Sequence, residues 1–268
     1  MTKGFLHITG IAGLLLLASC EKELDFEYHD IAPIPVIEGQ LTQDGARVKL
    51  TMTTPIDEPM DRTPLTDASV TLADLTEGTS AELLPGADGA YITPNPGESG
   101  HEYRLTVKRD GTVYSSECLM REPTEITALE FNWIKMPYDH VAVLQVSFRD
   151  ISSEPGDSYW VRVYRNGSAY MWTPVSDDSA EGGIIRQLFM TTRMDLDEEE
   201  EDTILREGDE ITVTVAPVSK EFDDYLTAIA GDSNGPQMFS GPLCLGYFLA
   251  APLAKAQTVF HPDQIPYF

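Results

Sequence analysis

The sequence predicts a mainly β protein of two β-sandwich-like domains, of immunoglobulin or fibronectin type, the second carrying one short helix. Three observations predict it. Short runs alternate apolar and polar residues, as in Arg47-Val48-Lys49-Leu50-Thr51-Met52, the pattern of a half-buried antiparallel strand. Turn chemistry separates the runs: Asp110-Gly111, Asn166-Gly167, and proline-bearing breaks at 54–64, 85–86 and 94–97. A helical period is absent from Ile34 to Glu122 and appears near residue 220.

From the N-terminus, Lys3 precedes an apolar run, Phe5 to Leu17, interrupted by His7 and Thr9. Roughly a dozen residues are too few for a hydrocarbon core, which needs about 20, and charge followed by a short apolar run is the order of a secretory signal. Residues 1–19 are therefore expected to be a lipoprotein signal peptide. Leu17-Ala18-Ser19-Cys20 resembles the bacterial lipobox, whose cysteine becomes the lipidated first residue of the mature chain. A thiol is the nucleophile able to form a thioether to diacylglycerol, so Cys20 is expected to carry the lipid anchor, palmitate included, that tethers the protein to the outer membrane. Several acyl chains at about 0.8 kcal/mol per buried methylene hold persistently where one is marginal.

Glu21-Lys22-Glu23 is similar to the acid-rich export signals with which Bacteroidetes send lipoproteins to the cell exterior. A solvated tether is the alternative, and both hold together. Residues 20–33 are expected to form an acidic tether kept extended by Glu21, Glu23, Asp25, Glu27 and Asp30. The exterior face of the outer membrane is the expected location, the periplasmic face the alternative.

Residues 34–122 are expected to be the N-terminal sandwich. Val48, Leu50 and Met52 share one face, as do Ala68, Val70 and Leu72, and Tyr103, Leu105 and Val107. Asp110-Gly111 predicts a type I′ hairpin turn, whose two central residues need positive φ. Arg121-Glu122-Pro123-Thr124 is the expected exit. In the second domain, 124–268, Ala142, Leu144, Val146 and Phe148 share a face, and Tyr159 to Tyr164 turns at Asn166-Gly167 into Tyr170-Met171-Trp172. Ile211 to Val215 alternates. Ser219 then caps a helix near 220–230 whose Phe222, Tyr225, Leu226 and Ile229 fall at i, i+3, i+4 and i+7. Glu221 and Asp223 suit its positive end, and Gly231 stops it. Leu243 to Leu253 is expected to be a last apolar strand broken near Pro252.

Asp and Glu number 44 against 18 Lys and Arg, a formal net charge of −26. Nucleic acid is excluded as a partner, because phosphate binding needs clustered basic side chains, and direct adhesion to anionic lipid is excluded with it. With Cys20 committed to lipid, Cys118 and Cys244 remain. In an envelope compartment, where disulfides persist, a bridge between them is expected; two buried free thiols acting as small hydrophobes are the alternative.

Candidate chemistry is sparse. Seven acids occupy the eight positions Asp195 to Asp202, but an EF-hand loop wants glycine at its sixth position, which here is Glu200, so a solvated surface loop is expected. His29, His101, His140 and His261 show no metal-ligand spacing, and neither a GxSxG elbow nor a glycine-rich phosphate loop occurs. No catalytic residue, metal or cofactor is assigned. Trp133, Trp160 and Trp172 concentrate, with several tyrosines, between Phe131 and Trp172. They are read first as core and sheet-face packing, with an aromatic surface for sugars or peptides as the functional alternative.

Five stretches, in order and spacing, carry a resemblance: Pro35 to Thr42, Ala68 to Leu72, Tyr103 to Val107, the strand-helix passage Val213 to Ile229, and Leu245-Gly246-Tyr247-Phe248. With them the chain resembles the Bacteroidetes lipoprotein family known as domain of unknown function 4249, over nearly all of its mature length. The resemblance implies a two-part β-rich surface lipoprotein, encoded near TonB-dependent outer-membrane transporters and without assigned activity. Pro242-Leu243-Cys244 replaces the glycine-rich lead-in expected before Leu245, which makes the bridge a question about this branch. The expected function is a non-enzymatic accessory or binding lipoprotein partnering a TonB-dependent transporter, with a surface adhesin or glycan-binding module as the alternative. A small-molecule, peptide or glycan ligand fits either.

Overall fold

The computed structural model describes residues 32–54, 63–137, 140–193 and 204–266. The expected signal peptide, the Cys20 anchor, Glu21, Lys22 and Glu23, the tether up to residue 31 and the acidic run 195–202 lie outside the described residues.

The first strands are β1 (Pro35–Thr42), β2 (Gly45–Met52), β3 (Ser69–Asp74), β4 (Thr79–Glu82), β5 (Leu84–Pro85), β6 (Ala90–Thr93), β7 (Glu102–Arg109) and β8 (Thr112–Leu119). Then come β9 (Ile126–Lys135), β10 (His140–Arg149), β11 (Ser158–Arg165), β12 (Ser168–Ser176), β13 (Ile184–Arg193) and β14 (Glu210–Val218). Helix α1 (Lys220–Ala230), β15 (Leu245–Ala250) and β16 (Ala254–Val259) follow. One sandwich pairs the sheet β15-β1-β2-β6-β5 with β4-β3-β7-β8; the other pairs β13-β10-β9 with β12-β11-β14-β16. Two β-sandwiches and a helix are the predicted fold class.

Alternation places the cores. In β7, Tyr103, Leu105 and Val107 point inward while Glu102 and Arg104 stay outside, and they meet Ile37, Leu50 and Val70 in the first core. The second core gathers Leu144, Val146 and Phe148 with Val161, Val213 and Val215. Both predicted hairpins form with positive φ at each central residue: Asp110 49° and Gly111 75°, Asn166 49° and Gly167 80°. Asn166 is also a strut, donating to Asp209 Oδ1 at 2.7 Å and accepting from the Glu210 amide at 2.9 Å.

The expected partition into 34–122 and 124–268 is crossed. Strand β15 runs parallel to β1 in the first sandwich, from Val36 opposite Leu245 to Leu41 opposite Ala250. Phe239, Cys244, Phe248 and Ala250 belong to the first core. Strand β1 is paired with β2 on one side only, and the returning segment covers the row of N–H and C=O groups that would otherwise stand open. The strand expected from Leu243 to Leu253 breaks near Pro252 as predicted, but beyond the break β16 crosses to the second sandwich to pair with β14.

The expected Cys118–Cys244 bridge is not formed; both are free thiols. The Ala250 amide donates to Cys118 Sγ at 3.2 Å, whereas Cys244 sits near Tyr114 in the first core. Tyr114 and Cys118 are four residues apart on one strand, about 13 Å at a strand's rise, and a bridge needs Cα atoms within about 7 Å. Burial pushes the Cys244 thiol up to about 11 and raises that of Cys118 as well, so both behave as inert small hydrophobes.

One surface pair makes stability depend on pH. His101 Nδ1 lies 2.8 Å from Asp74 Oδ2; this hydrogen bond raises the His101 pKa against the opposing effect of burial. Burial pushes Asp74 up, but the His101 bond and the Glu77 and Thr76 amides outweigh it and leave Asp74 lowered. The His101 contribution is full below its unfolded pKa of about 6.5 and is lost as pH rises through the raised folded value. The Asp74 contribution is present above about 3.9 and fades as pH falls through the lowered one. A histidine NMR titration should give a His101 midpoint above the ordinary value, and His101→Gln should flatten the thermal-stability profile on that limb. A midpoint at or below the ordinary value refutes the coupling.

Candidate functional site

Strand β11 is buried on both faces. Tyr159, Val161 and Val163 enter the second core, and by the two-residue period Trp160 and Arg162 occupy the opposite face. Strand β14 continues that face with Ala216 and Val218, and helix α1 closes over it with Phe222 and Leu226. The Ser219 cap is as predicted, its hydroxyl accepting from the Phe222 amide at 3.2 Å. Lys220 pairs with Asp223 at 3.0 Å and Asp224 at 2.6 Å, neutralising part of the acidic first turn. From the first sandwich, β15 contributes Tyr247 and Leu249 to the same packing.

These elements bring five aromatic rings together. Trp160 and Trp172 stand perpendicular with centroids 6.3 Å apart. Tyr247 lies 5.8 Å from Trp160, 5.3 Å from Phe222 and 5.9 Å from Tyr225. Separations of this size with tilted or edge-on rings are favourable for π systems. The Arg162 guanidinium sits 4.2 Å from the centre of a Trp160 ring, a cation–π contact that fixes the indole. Between the rings lies a cleft of about 340 Å³, lined among others by Glu38, Trp160, Trp172, Tyr225, Asn234 and Tyr247.

The polar equipment of the cleft is modest and defined. Tyr247 Oη accepts from Gln40 Nε2 at 2.8 Å, and burial pushes its phenol up to about 12, so it is a neutral O–H with its own proton to donate. Trp160 Nε1 is enclosed and has no hydrogen-bond partner, an unsatisfied donor of the kind that costs about 1–3 kcal/mol. Glu38 is the single carboxylate among the described lining residues. Glycoside hydrolysis by the common route needs two, whereas tilted and edge-on rings with one acid and one amide suit binding.

Of the predicted aromatic surface, the structure brings together Trp160 and Trp172. Trp133 is elsewhere: it is buried in the second core, and its Nε1 donates to the Pro262 carbonyl at 3.3 Å. Tyr225 and Tyr247 complete the cleft, with Phe222 packed against them, and none of the three was singled out as a site residue. Phe222 and Tyr225 are on the predicted apolar helix face, so the available signal was that face together with the two tryptophans; what was hidden was that the one packs on the other.

A second group of interest is chemical rather than concave. Carboxylate oxygens of Asp150, Asp157 and Asp177 lie within 4.8 Å of one another. It is the one cluster of metal-ligand composition among the described residues.

No family model matches the chain, and no curated protein matches it. Solved structures similar to it include a two-domain fibronectin type-III segment of chicken tenascin, 13% identical over 70% of this chain and 92% of that one, with a TM-score of 0.23. The FN1–FN3 domains of chicken CNTN1 are 11% identical over 86% of this chain and 66% of theirs, at 0.24. A DUF4785 family protein from Legionella pneumophila is 11% identical over 68% of this chain and 51% of its own, at 0.23. Identities this low speak to fold alone, and superpositions at these scores carry no argument about ligand or role. No helix of the described residues is long and apolar enough to cross a membrane.

Proposed function

We propose that this chain is a lipid-anchored, non-enzymatic binding protein of the outer membrane, displayed on the cell exterior, that holds a ligand for a TonB-dependent transporter. Membership of the domain of unknown function 4249 family is part of the same proposal. The observation that carries it is the aromatic cleft where the two sandwiches and α1 meet: its rings, neutral phenol and lone carboxylate are equipment for holding a ligand. Cys20 and Glu21-Lys22-Glu23 supply the address. Flat rings offer their faces to the apolar side of a sugar or to a peptide side chain, and Glu38, Asn234 and the Tyr247 hydroxyl offer partners for its polar edge.

The transporter is tested by co-purification after mild detergent extraction, and failure to bring down any outer-membrane barrel removes it. The cleft is tested by following tryptophan fluorescence during titration with oligosaccharides and peptides. Trp172→Ala is expected to weaken binding roughly tenfold, about 1.4 kcal/mol, with little change in stability because the ring is 39% exposed. Unchanged affinity in that variant rules the cleft out as the ligand site. A surface adhesin or glycan-binding module acting alone is the second reading, favoured by the perpendicular Trp160–Trp172 pair. Glycan-array binding without a co-purifying barrel selects it.

A further inference from the structure

We infer that Asp150, Asp157 and Asp177 form a divalent-cation site of calcium class beside the linker between the sandwiches. Asp150 follows β10, Asp157 precedes β11 and Asp177 follows β12, so three strand ends converge on one point. Asp157 and Asp177 are buried, at 4% and 7% exposure. The protein's own donors do not exhaust them. Asp177 Oδ2 accepts from the Gly156 and Asp157 amides at 2.8 and 2.9 Å, but its Oδ1, equally enclosed, has no hydrogen-bond partner. Asp150 Oδ1 accepts from the Tyr159 hydroxyl at 2.6 Å, and Asp157 Oδ2 from Ser152 at 2.7 Å.

Charge points the same way. The paired cation is Arg121, whose Nη2 binds Asp157 Oδ1. Three carboxylates against one guanidinium leave a local charge of −2, which one divalent ion neutralises. Calcium–oxygen distances are about 2.3–2.6 Å, so opposed ligands are about 5 Å apart, and oxygens that all lie within 4.8 Å of one another can share one ion. The donor set is oxygen only, with neither imidazole nor thiolate, which selects a hard cation over zinc or copper. Calcium tolerates irregular geometry, whereas magnesium demands a near-ideal octahedron. Entry is open, since Ser152 and Asp157 border a surface cleft of about 310 Å³.

Occupancy would stiffen the joint between the sandwiches. Arg121 belongs to the segment linking β8 to β9, and its Nη1 donates to the Val218 carbonyl at 3.1 Å. A cation held by the three aspartates orders the acceptor of that linker residue, and with it the approach of the second sandwich to the first.

The test uses the full-length chain in detergent micelles, stripped with chelator and titrated with calcium chloride by calorimetry, with thermal unfolding in parallel. One binding equivalent is expected with Kd on the order of 10⁻⁴–10⁻³ M, as in extracellular modules, and a Tm rise of roughly 3–10 °C at 10 mM calcium. Asp150→Asn and Asp177→Asn should each abolish both, while the exposed neighbour Asp178→Asn keeps them. Asp150 is only half-buried and asparagine keeps its acceptor for Tyr159, so Asp150→Asn decides the matter if Asp177→Asn does not fold. Absence of calcium-dependent heat and Tm shift in the wild type, or a response that Asp150→Asn retains in full, overturns the inference in favour of diffuse counterion binding to an acidic chain.

Discussion

Replacing Gly246 by alanine is expected to destabilise the protein by about 3–5 kcal/mol and to detach β15 from β1. Gly246 has φ of 100°, a region closed to side chains, and a Cβ there would meet the Ile37 carbonyl oxygen at 2.0 Å and the Ile37 carbonyl carbon at 2.7 Å. The obstacle is the backbone of the partner strand, which cannot rotate aside as a side chain would. Backbone strain of about 1–3 kcal/mol adds to a packing penalty of about 1–3 kcal/mol. Gly78→Ala separates the two effects, because Gly78 also has positive φ, 71°, but a Cβ there meets nothing within 4 Å; it should cost only about 1 kcal/mol. Equilibrium unfolding in urea measures both. If Gly246→Ala falls within 1 kcal/mol of Gly78→Ala, the close approach of β15 to β1 is wrong.

Phe222→Ala is expected to cost about 3–5 kcal/mol, the usual range for truncating a fully buried aromatic ring, and to abolish binding in the cleft. Phe222 is 1% exposed and touches Trp160, Tyr225 and Tyr247 at centroid distances of 5.7, 5.8 and 5.3 Å. It is the peg that seats α1 on the sheet. Losing it releases Tyr225 and opens a void behind Trp160, so near-ultraviolet circular dichroism of the indoles should collapse together with ligand affinity. Phe222→Leu, which keeps most of the volume, should retain more than half of the lost stability. A stable Phe222→Ala protein with normal affinity would mean that the helix is not what shapes the cleft.

Local chemistry was legible in the sequence wherever a short stretch decides its own conformation. Asp110-Gly111 and Asn166-Gly167 dictate their turns because few other residues accept positive φ at both positions, and Ser219 dictates its cap because its hydroxyl reaches the Phe222 amide. The alternation of Tyr103, Leu105 and Val107 shows which side faces a core. It does not show which strand lies alongside, since a pleated strand has two edges whose backbone donors and acceptors are the same for every sequence. Hence β15 reads correctly as a strand and was assigned to the wrong sandwich. The cleft was obscured for the same reason: Trp160 and Trp172 are near in sequence, but Tyr247 reaches them only through that long-range pairing. The three aspartates were invisible among so many acids, because their proximity comes from strand ends and not from spacing. The cysteines show the reverse error, in which counting residues suggested a partner that their positions, on β8 and just ahead of β15, do not allow.

Pairing β1 with β15 also sets an order of events. The two strands are separated by about two hundred residues, so the loop they close is among the costliest for the chain to find. Synthesis proceeds from the N-terminus, so the sandwich that emerges first waits for a strand made after β9 to β14 of the second, with only β16 still to come. Until Leu245–Ala250 arrive, one side of β1 is a bare template for strand addition, and a passing chain can occupy it as readily as the proper one. The late strand thus acts as a latch on the first sandwich, which stays unfinished until Leu245–Ala250 have docked on β1.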